Sequence, residues 1–215
     1  MIVGRVMTRN PIFVHPDTSL NEARALMDKE KIGKLPVLDK NDRLVGIVTK
    51  KDMLKADPSS ATTLDMYEIS YLLSKLKIEK IMERNVITVD ESELVEEAAR
   101  IMADNDISCL PVMKGDLLVG IITGTDIFHV FVDIFGARHP GVRIVLSLSE
   151  RRGELARLAQ AIADKGGNIA SFVTSEGDDL SRRRGTCRIT GLSIDEVKEI
   201  VRALPAELED IRETV

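Results

Sequence analysis

The sequence predicts an α+β protein: one strand-helix-strand-strand-helix unit used twice, then a ferredoxin-like unit. Three observations carry this. Leu44-Val45-Gly46-Ile47-Val48-Thr49-Lys50-Lys51-Asp52 returns 74 residues later as Leu118-Val119-Gly120-Ile121-Ile122-Thr123-Gly124-Thr125-Asp126. Met7 matches Met82, Asn10 matches Asn85, Met27 matches Met102, and Leu35-Pro36-Val37 matches Leu110-Pro111-Val112, all at a spacing of 75. The offset changes only in the turns around Lys40-Asn41-Asp42 and Lys114-Gly115-Asp116, as expected of a duplicated structural unit. After Gly136-Ala137-Arg138-His139-Pro140-Gly141 the pattern changes. It becomes strand-helix-strand-strand-helix-strand, the order of a ferredoxin-like unit. The expected domains are 1–60, 61–135 with a leading helix, and 140–215.

The elements follow in order. Ile12-Phe13-Val14 alternates as a short strand after a turn at Arg9-Asn10-Pro11. Ser19 with Glu22 three residues on forms a capping box, and Leu20, Ala23, Leu26 and Met27 give the following helix one apolar face. Gly33 ends it. Residues 35–38 and 44–48 form a hairpin around Asn41-Asp42. Lys51 to Lys55 begins the next helix. Residues 56–64 are small and polar, as in an exposed linker. Asp65 to Lys77 is helical, with Ile69, Leu72, Leu73 and Leu76 on one side. The unit then repeats: strand 86–89, helix 94–105, hairpin 108–113 with 117–122, helix 126–134. The four methionines in phase are core positions. In the last unit, strand 142–148 precedes helix 155–163, which Gly166-Gly167-Asn168 stops. Strands 169–175 and 186–190 flank a charged loop, Glu176 to Arg184. Ser193 and Glu196 cap a helix, and 208–215 finishes as a strand.

Composition narrows the function classes. The 215 residues are 44% hydrophobic and 30% charged, an ordinary globular balance. Aromatics are 3% with no Trp, which argues against base-stacking platforms. A net charge of −5 argues against attraction to a phosphate backbone. Cys109 and Cys187 lack CxxC spacing, and Arg5 and Arg9 interrupt any leader-like run, so a reducing, cytoplasmic setting is expected. The most apolar stretch, 127–135, is too short to span a membrane and carries His129 and Asp133.

Thr-x-x-Asp at a strand end has a chemical use. The helix behind it offers N–H groups and a positive dipole end to a phosphate, the Thr hydroxyl adds a hydrogen bond, and the carboxylate suits a ribose diol. The same spacing is also a plain capping box. What sets these copies apart is that each follows Leu-Val-Gly-Ile and a Leu-Pro-Val strand.

With these residues the repeats resemble a tandem of cystathionine-β-synthase (CBS) domains over about residues 1–135. The resemblance implies two clefts between the repeats. Adenine would lie against apolar strand residues, Leu35 and Pro36 or Leu110 and Pro111, with Thr49, Lys50 and Asp52 or Thr123 and Asp126 holding ribose and phosphate. AMP, ADP, ATP and S-adenosylmethionine are the implied ligands. Lys34, Lys50 and Lys51 of the first repeat become Cys109, Gly124 and Thr125 in the second, so the first cleft is expected to prefer ATP or ADP over AMP.

The last unit resembles an ACT domain through Leu146-Ser147-Leu148-Ser149-Glu150-Arg151-Arg152-Gly153-Glu154-Leu155 and Gly166-Gly167-Asn168-Ile169. That resemblance implies self-association and an amino-acid ligand near Gly153 and Asn168. Glu150 and Arg152 stand where the family often has Asp and Pro. The whole architecture resembles the acetoin-utilisation accessory protein family.

No His cluster has metal-ligand spacing, and no P-loop or Ser/His/Asp set is present. The sequence therefore reads as a non-enzymatic adenine-nucleotide sensor. It is expected to be a homodimer that acts on a partner such as a regulated enzyme. The alternative is a nucleic-acid-binding regulator using Arg182-Arg183-Arg184.

Overall fold

A computed structural model describes residues 1–56, 65–177 and 181–214, with all their side chains except those of residues 66, 69, 70 and 72. The chain divides into two compact units, Met1–Ile127 and Phe128–Val215.

The first unit holds the first repeat and the second as far as Ile127. In the first, α1 (Leu20–Lys29) starts at the Ser19 capping box: Ser19 Oγ accepts from Glu22 N–H, and the Glu22 carboxylate takes the Ser19 N–H. Two further elements, β2 (Lys34–Leu38) and β3 (Leu44–Thr49), form the expected antiparallel hairpin, with α2 (Lys50–Lys55) behind it. The helix α3 (Met66–Lys75) bridges to the second repeat. Leu73 and Leu76 pack on the first core; the expected placement of Ile69 and Leu72, and the linker 57–64, lie outside the described residues. The second repeat contains β4 (Val89–Asp90), α4 (Val95–Asp104), β5 (Cys109–Lys114), β6 (Leu117–Thr123) and α5 (Gly124–Ile134). All four in-phase methionines are buried.

The sequence does not show that the repeats exchange their leading segments. Val3 and Met7 are buried with Val89, Ala98, Leu110, Val112 and Ile122 of the second repeat. Ile78 and Met82 are buried with Leu20, Met27, Leu35 and Val48 of the first. Backbone hydrogen bonds follow the exchange: Val3 N–H to Glu93 O (2.8 Å) and Gly4 N–H to Glu91 O (2.8 Å), mirrored by Ile78 N–H to Thr18 O (2.9 Å) and Glu79 N–H to Pro16 O (3.0 Å). The short strand β1 (Thr8–Arg9) pairs with β6, so one sheet runs β1-β6-β5-β4. The expected strand 12–14 reduces to a single bridge at Val14, with Ile12 and Phe13 exposed.

The exchange requires two glycines. A Cβ on Gly120 would lie 2.3 Å from the Met7 sulfur and 3.0 Å from Thr8 O, and one on Gly46 would lie 2.6 Å from the Met82 sulfur.

The second unit contains β7 (Gly141–Ser149), α6 (Glu154–Asp164), β8 (Asn168–Glu176), β9 (Arg182–Thr190), α7 (Ile194–Arg202) and β10 (Ala206–Thr214). The antiparallel sheet runs β10-β7-β9-β8, the expected ferredoxin-like order. Val142, Ile144, Leu146 and Leu148 alternate onto one face, where Leu158 and Ile162 of α6 and Val197, Ile200 and Val201 of α7 cover them. The expected charged loop is shorter than 176–184, because Arg182 to Arg184 already belong to β9. Arg188 is only 6% exposed; its Nη1 donates to His139 O (2.7 Å) and to Thr214 Oγ1, while its Nε has no partner. Ser171 Oγ donates to Phe135 O (3.0 Å) and Thr214 Oγ1 to Gly141 O (2.8 Å), so residues 135–141 are tied to this sheet. Burial pushes the Cys187 thiol, fully buried here, up to about 12.

Two expectations follow. Gly120→Ala forces Met7 out of its contact and should cost on the order of 1–3 kcal/mol in urea unfolding, with part of the loss recovered in Gly120→Ala/Met7→Ala. In a Cys109→Ser background, Cys187 should not react with a thiol reagent at pH 8 until denaturant is added. Rapid reaction of the folded protein would show that this core opens.

Candidate functional site

Beside the first Thr-x-x-Asp lies a cavity of about 460 Å³. Thr49, Asp52, Lys51 and Lys55 border it from the first repeat, and Cys109 and Pro111 from the second. Glu83, Asn85, Val86, Ile87 and residues 106–108 help complete the wall. The volume lies in the range of small-molecule sites.

At its mouth the capping box is complete. Thr49 Oγ1 donates to Asp52 Oδ2 (2.6 Å) and accepts from Asp52 N–H (3.3 Å), and Thr49 N–H donates to the same Oδ2 (3.0 Å). Lys50 N–H goes to Gly33 O (3.0 Å). Three N–H groups at this helix start are thus already used. The helix end therefore offers a phosphate much less than the sequence suggests. What the box leaves over is Asp52 Oδ1, which no described residue engages. That oxygen can accept from a diol.

The second copy repeats the carboxylate half of the box. Asp126 Oδ2 takes both Thr123 N–H (2.7 Å) and Thr123 Oγ1 (2.7 Å), and Gly124 N–H goes to Ser108 O (3.1 Å).

The lysines differ from expectation. Lys50 Nζ pairs with Asp28 Oδ1 (2.9 Å), and Lys34 Nζ donates to Ser108 O (2.9 Å). The Lys50 pair is exposed, so it is worth no more than about 1 kcal/mol and a ligand can compete for it. Lys51 and Lys55 make no ion pair among the described residues, and both border the cavity.

Two strand residues require correction. Leu35 and Leu110 are completely buried in the cores of their repeats and do not reach a cleft. Side chains alternate along a strand, so their neighbours face the other way. In the second repeat those neighbours are Cys109 and Pro111, which border the first cleft; Pro36 holds the matching place in the first. Burial raises the Cys109 thiol, with Lys34 opposing the shift. The crossing of Cys109 and Pro111 into the first repeat's cleft was not foreseen, and the alternation around Leu110 was the available signal.

In the ferredoxin-like unit, Gly153 caps α6 in a left-handed conformation (φ +90°), beside a hollow of about 380 Å³ bordered by Glu150, Arg151, Arg152 and Thr174. Asn168 is not there. Ser149 pairs with Arg182 at one end of the sheet, and Asn168 pairs with Thr190 at the other. Nine-residue strands put these ends roughly 25 Å apart, so one ligand cannot touch both within a chain. The basic triplet is neutralised in place: Arg182 meets Ser147 and Glu207, Arg183 meets Glu150 (2.6 Å), and Arg184 meets Glu209 (2.7 Å). This leaves little for a nucleic-acid backbone. Among the described residues no group of His, Cys, Asp and Glu could hold a metal, and no helix is long and apolar enough to cross a membrane.

Fold and site together define a protein of paired repeats with a nucleoside-sized cleft, joined to a ferredoxin-like unit. The sequence matches the CBS domain family over residues 3–59 and 78–133, and the TTHA0829-like ACT domain over 140–212. The chain belongs to the CBS-domain family, as a tandem CBS pair followed by an ACT domain. It is 36% identical over 137 residues to the uncharacterized protein MJ1404 of Methanocaldococcus jannaschii, covering 61% of this chain and 32% of that one. The chain thus spans about a third of that relative's length. The CBS pair of protein MJ0100, solved with 5′-methylthioadenosine and S-adenosyl-L-methionine, is 35% identical (TM-score 0.51; 61% of this chain, 95% of that one). A Vibrio cholerae protein described as an acetoin utilization protein (AcuB) is 31% identical (TM-score 0.53; 64% and 95%).

Asp52→Ala removes both carboxylate bonds of the box. Urea unfolding should show a loss of about 0.5–2 kcal/mol, the usual range for a helix N-cap.

Proposed function

We propose that this protein is a regulatory sensor whose CBS pair binds an adenosine-containing ligand. The observation that carries the reading is Asp52 Oδ1, unengaged at the mouth of a cavity of about 460 Å³. One carboxylate oxygen holds the helix cap while the other remains for a ribose diol. Pro111, Ile47 and Ile87 offer apolar surface for a base. The likeness to the MJ0100 pair, solved with two adenosine compounds, supports the same ligand class.

Thr49, Lys50 and Asp52 with Pro111 serve the first cleft; Thr123 and Asp126 with Pro36 serve the second. Because helix N–H groups are used by the caps, a phosphate in the first cleft depends mainly on Lys51 and Lys55. ATP or ADP is therefore favoured there over AMP, by a margin that salt reduces. We assign repeats to 1–60 and 61–135 and the ACT unit to 140–215. The ACT unit supports a homodimer or reads an amino acid at its Gly153 end. The chain works without catalysis in the cytoplasm, and its output is an altered contact with a partner enzyme.

Calorimetry with AMP, ADP, ATP, S-adenosylmethionine, 5′-methylthioadenosine and amino acids tests this. At least one adenosine compound should bind saturably and raise the melting temperature by mass action, and Asp52→Ala or Asp126→Ala should weaken it at its own cleft. No binding of any adenosine compound at millimolar concentration refutes the sensor reading.

A further inference from the structure

Residues 83–88 have two faces. Glu83, Asn85 and Ile87 border the first cleft, whereas Arg84 and Thr88 border a separate hollow of about 520 Å³; Val86 borders both. Arg43, Leu44, Met113, Gly115 and Asp116 form the rest of that hollow. Arg43 sits at the hairpin turn of the first repeat, and Gly115 and Asp116 form the turn of the second.

We propose that this hollow is a second ligand site, for a small phosphate monoester. Arg43 and Arg84 both border this one hollow. Arg84 is fixed by its Nη2 bond to Glu79 O (2.9 Å), which leaves its other N–H groups. The Arg43 guanidinium makes no hydrogen bond or ion pair among the described residues, although it lies within electrostatic reach of Asp39. Two guanidinium forks and the Thr88 hydroxyl match the oxygens of a phosphate dianion. Leu44, Val86 and Met113 supply an apolar floor. Asp116 opposes a free dianion and accepts from a hydroxyl, so it favours a phosphate carried on a hydroxylated carbon skeleton over phosphate alone.

The duplication shows that packing does not need these groups. At the equivalent positions around the other leading segment stand Arg9, Pro11 and Phe13, with Leu117 for Arg43 and Leu38 for Met113. The same backbone is thus built with Phe where this hollow has Thr88, and with Leu where it has Arg43. The second guanidinium and the hydroxyl belong to one side only. This inference does not depend on adenosine binding, because Arg43, Thr88 and Asp116 do not border the adenosine cleft.

Titrating glycerol 3-phosphate, inorganic phosphate and sulfate into the full chain, by calorimetry with phosphorus NMR, is the test. Glycerol 3-phosphate should bind saturably at one site per chain. Arg43→Met, which removes a guanidinium with no hydrogen bond or ion pair among the described residues, should weaken it about tenfold, in line with a lost charge-assisted pair. The same variant should melt as the parent does and bind adenosine compounds unchanged. Asp116→Asn should strengthen inorganic phosphate and weaken glycerol 3-phosphate. Non-saturable binding, equal response to sulfate and both phosphates, or affinity unchanged in Arg43→Met overturns the proposal. Equal weakening of adenosine and phosphate ligands in Arg43→Met would mean one shared site and would also overturn it.

Discussion

The contact between Met7 and Gly120, with its mirror between Met82 and Gly46, is the constraint on which the first unit depends. Each methionine belongs by sequence to one repeat and by packing to the other. The sulfur lies where any other residue would carry a Cβ, so the glycine permits the leading segment to lie flat on the partner hairpin. Once it does, Val3 and Ile78 seal the opposite cores and Glu83 pairs with Ile47. The cleft follows from this. Its wall combines Thr49 and Asp52 with Cys109 and Pro111, which a repeat closed on itself would not bring together.

Much of this could be read in the residues. The Ser19, Thr49 and Ser193 capping boxes, both hairpins and the ferredoxin-like order all stand where local signals put them. These are short-range rules, in which the donor and acceptor lie three residues apart or the turn residue sets the pairing. The exchange is long-range. Two repeats closed on themselves and two repeats trading leading segments have the same sequence and the same periodicity. Leu35 and Leu110 were misplaced for another reason. A Leu-Pro-Val strand is apolar at every position, so hydrophobicity alone cannot say which side faces the ligand. In the fold Leu110 is buried in the core, and Cys109 and Pro111 border the cavity.

The caps show how one residue pair can close a helix end and still leave a carboxylate oxygen over. The sequence leaves Thr-x-x-Asp open between a capping box and a ligand site. In the fold the Thr49 box is complete, and among the described residues only Oδ2 of Asp52 and of Asp126 is engaged. The same box uses backbone N–H groups that a phosphate would need, so a phosphate there would have to rely on side chains, and the first repeat has Lys50 and Lys51 where the second has Gly124 and Thr125.

The exchanged segments also bear on how the chain is made. Synthesis proceeds from the N-terminus, and the first core lacks Ile78 and Met82 until those residues have left the ribosome. Residues 3–7 wait longer still, because Ile122 is among their partners. The first core can therefore close only once residues 78–82 have emerged, and the second only after Ile122; forming such distant contacts is intrinsically slow. A single repeat on its own would have the same unfinished core and could complete it only with the leading segment of another copy.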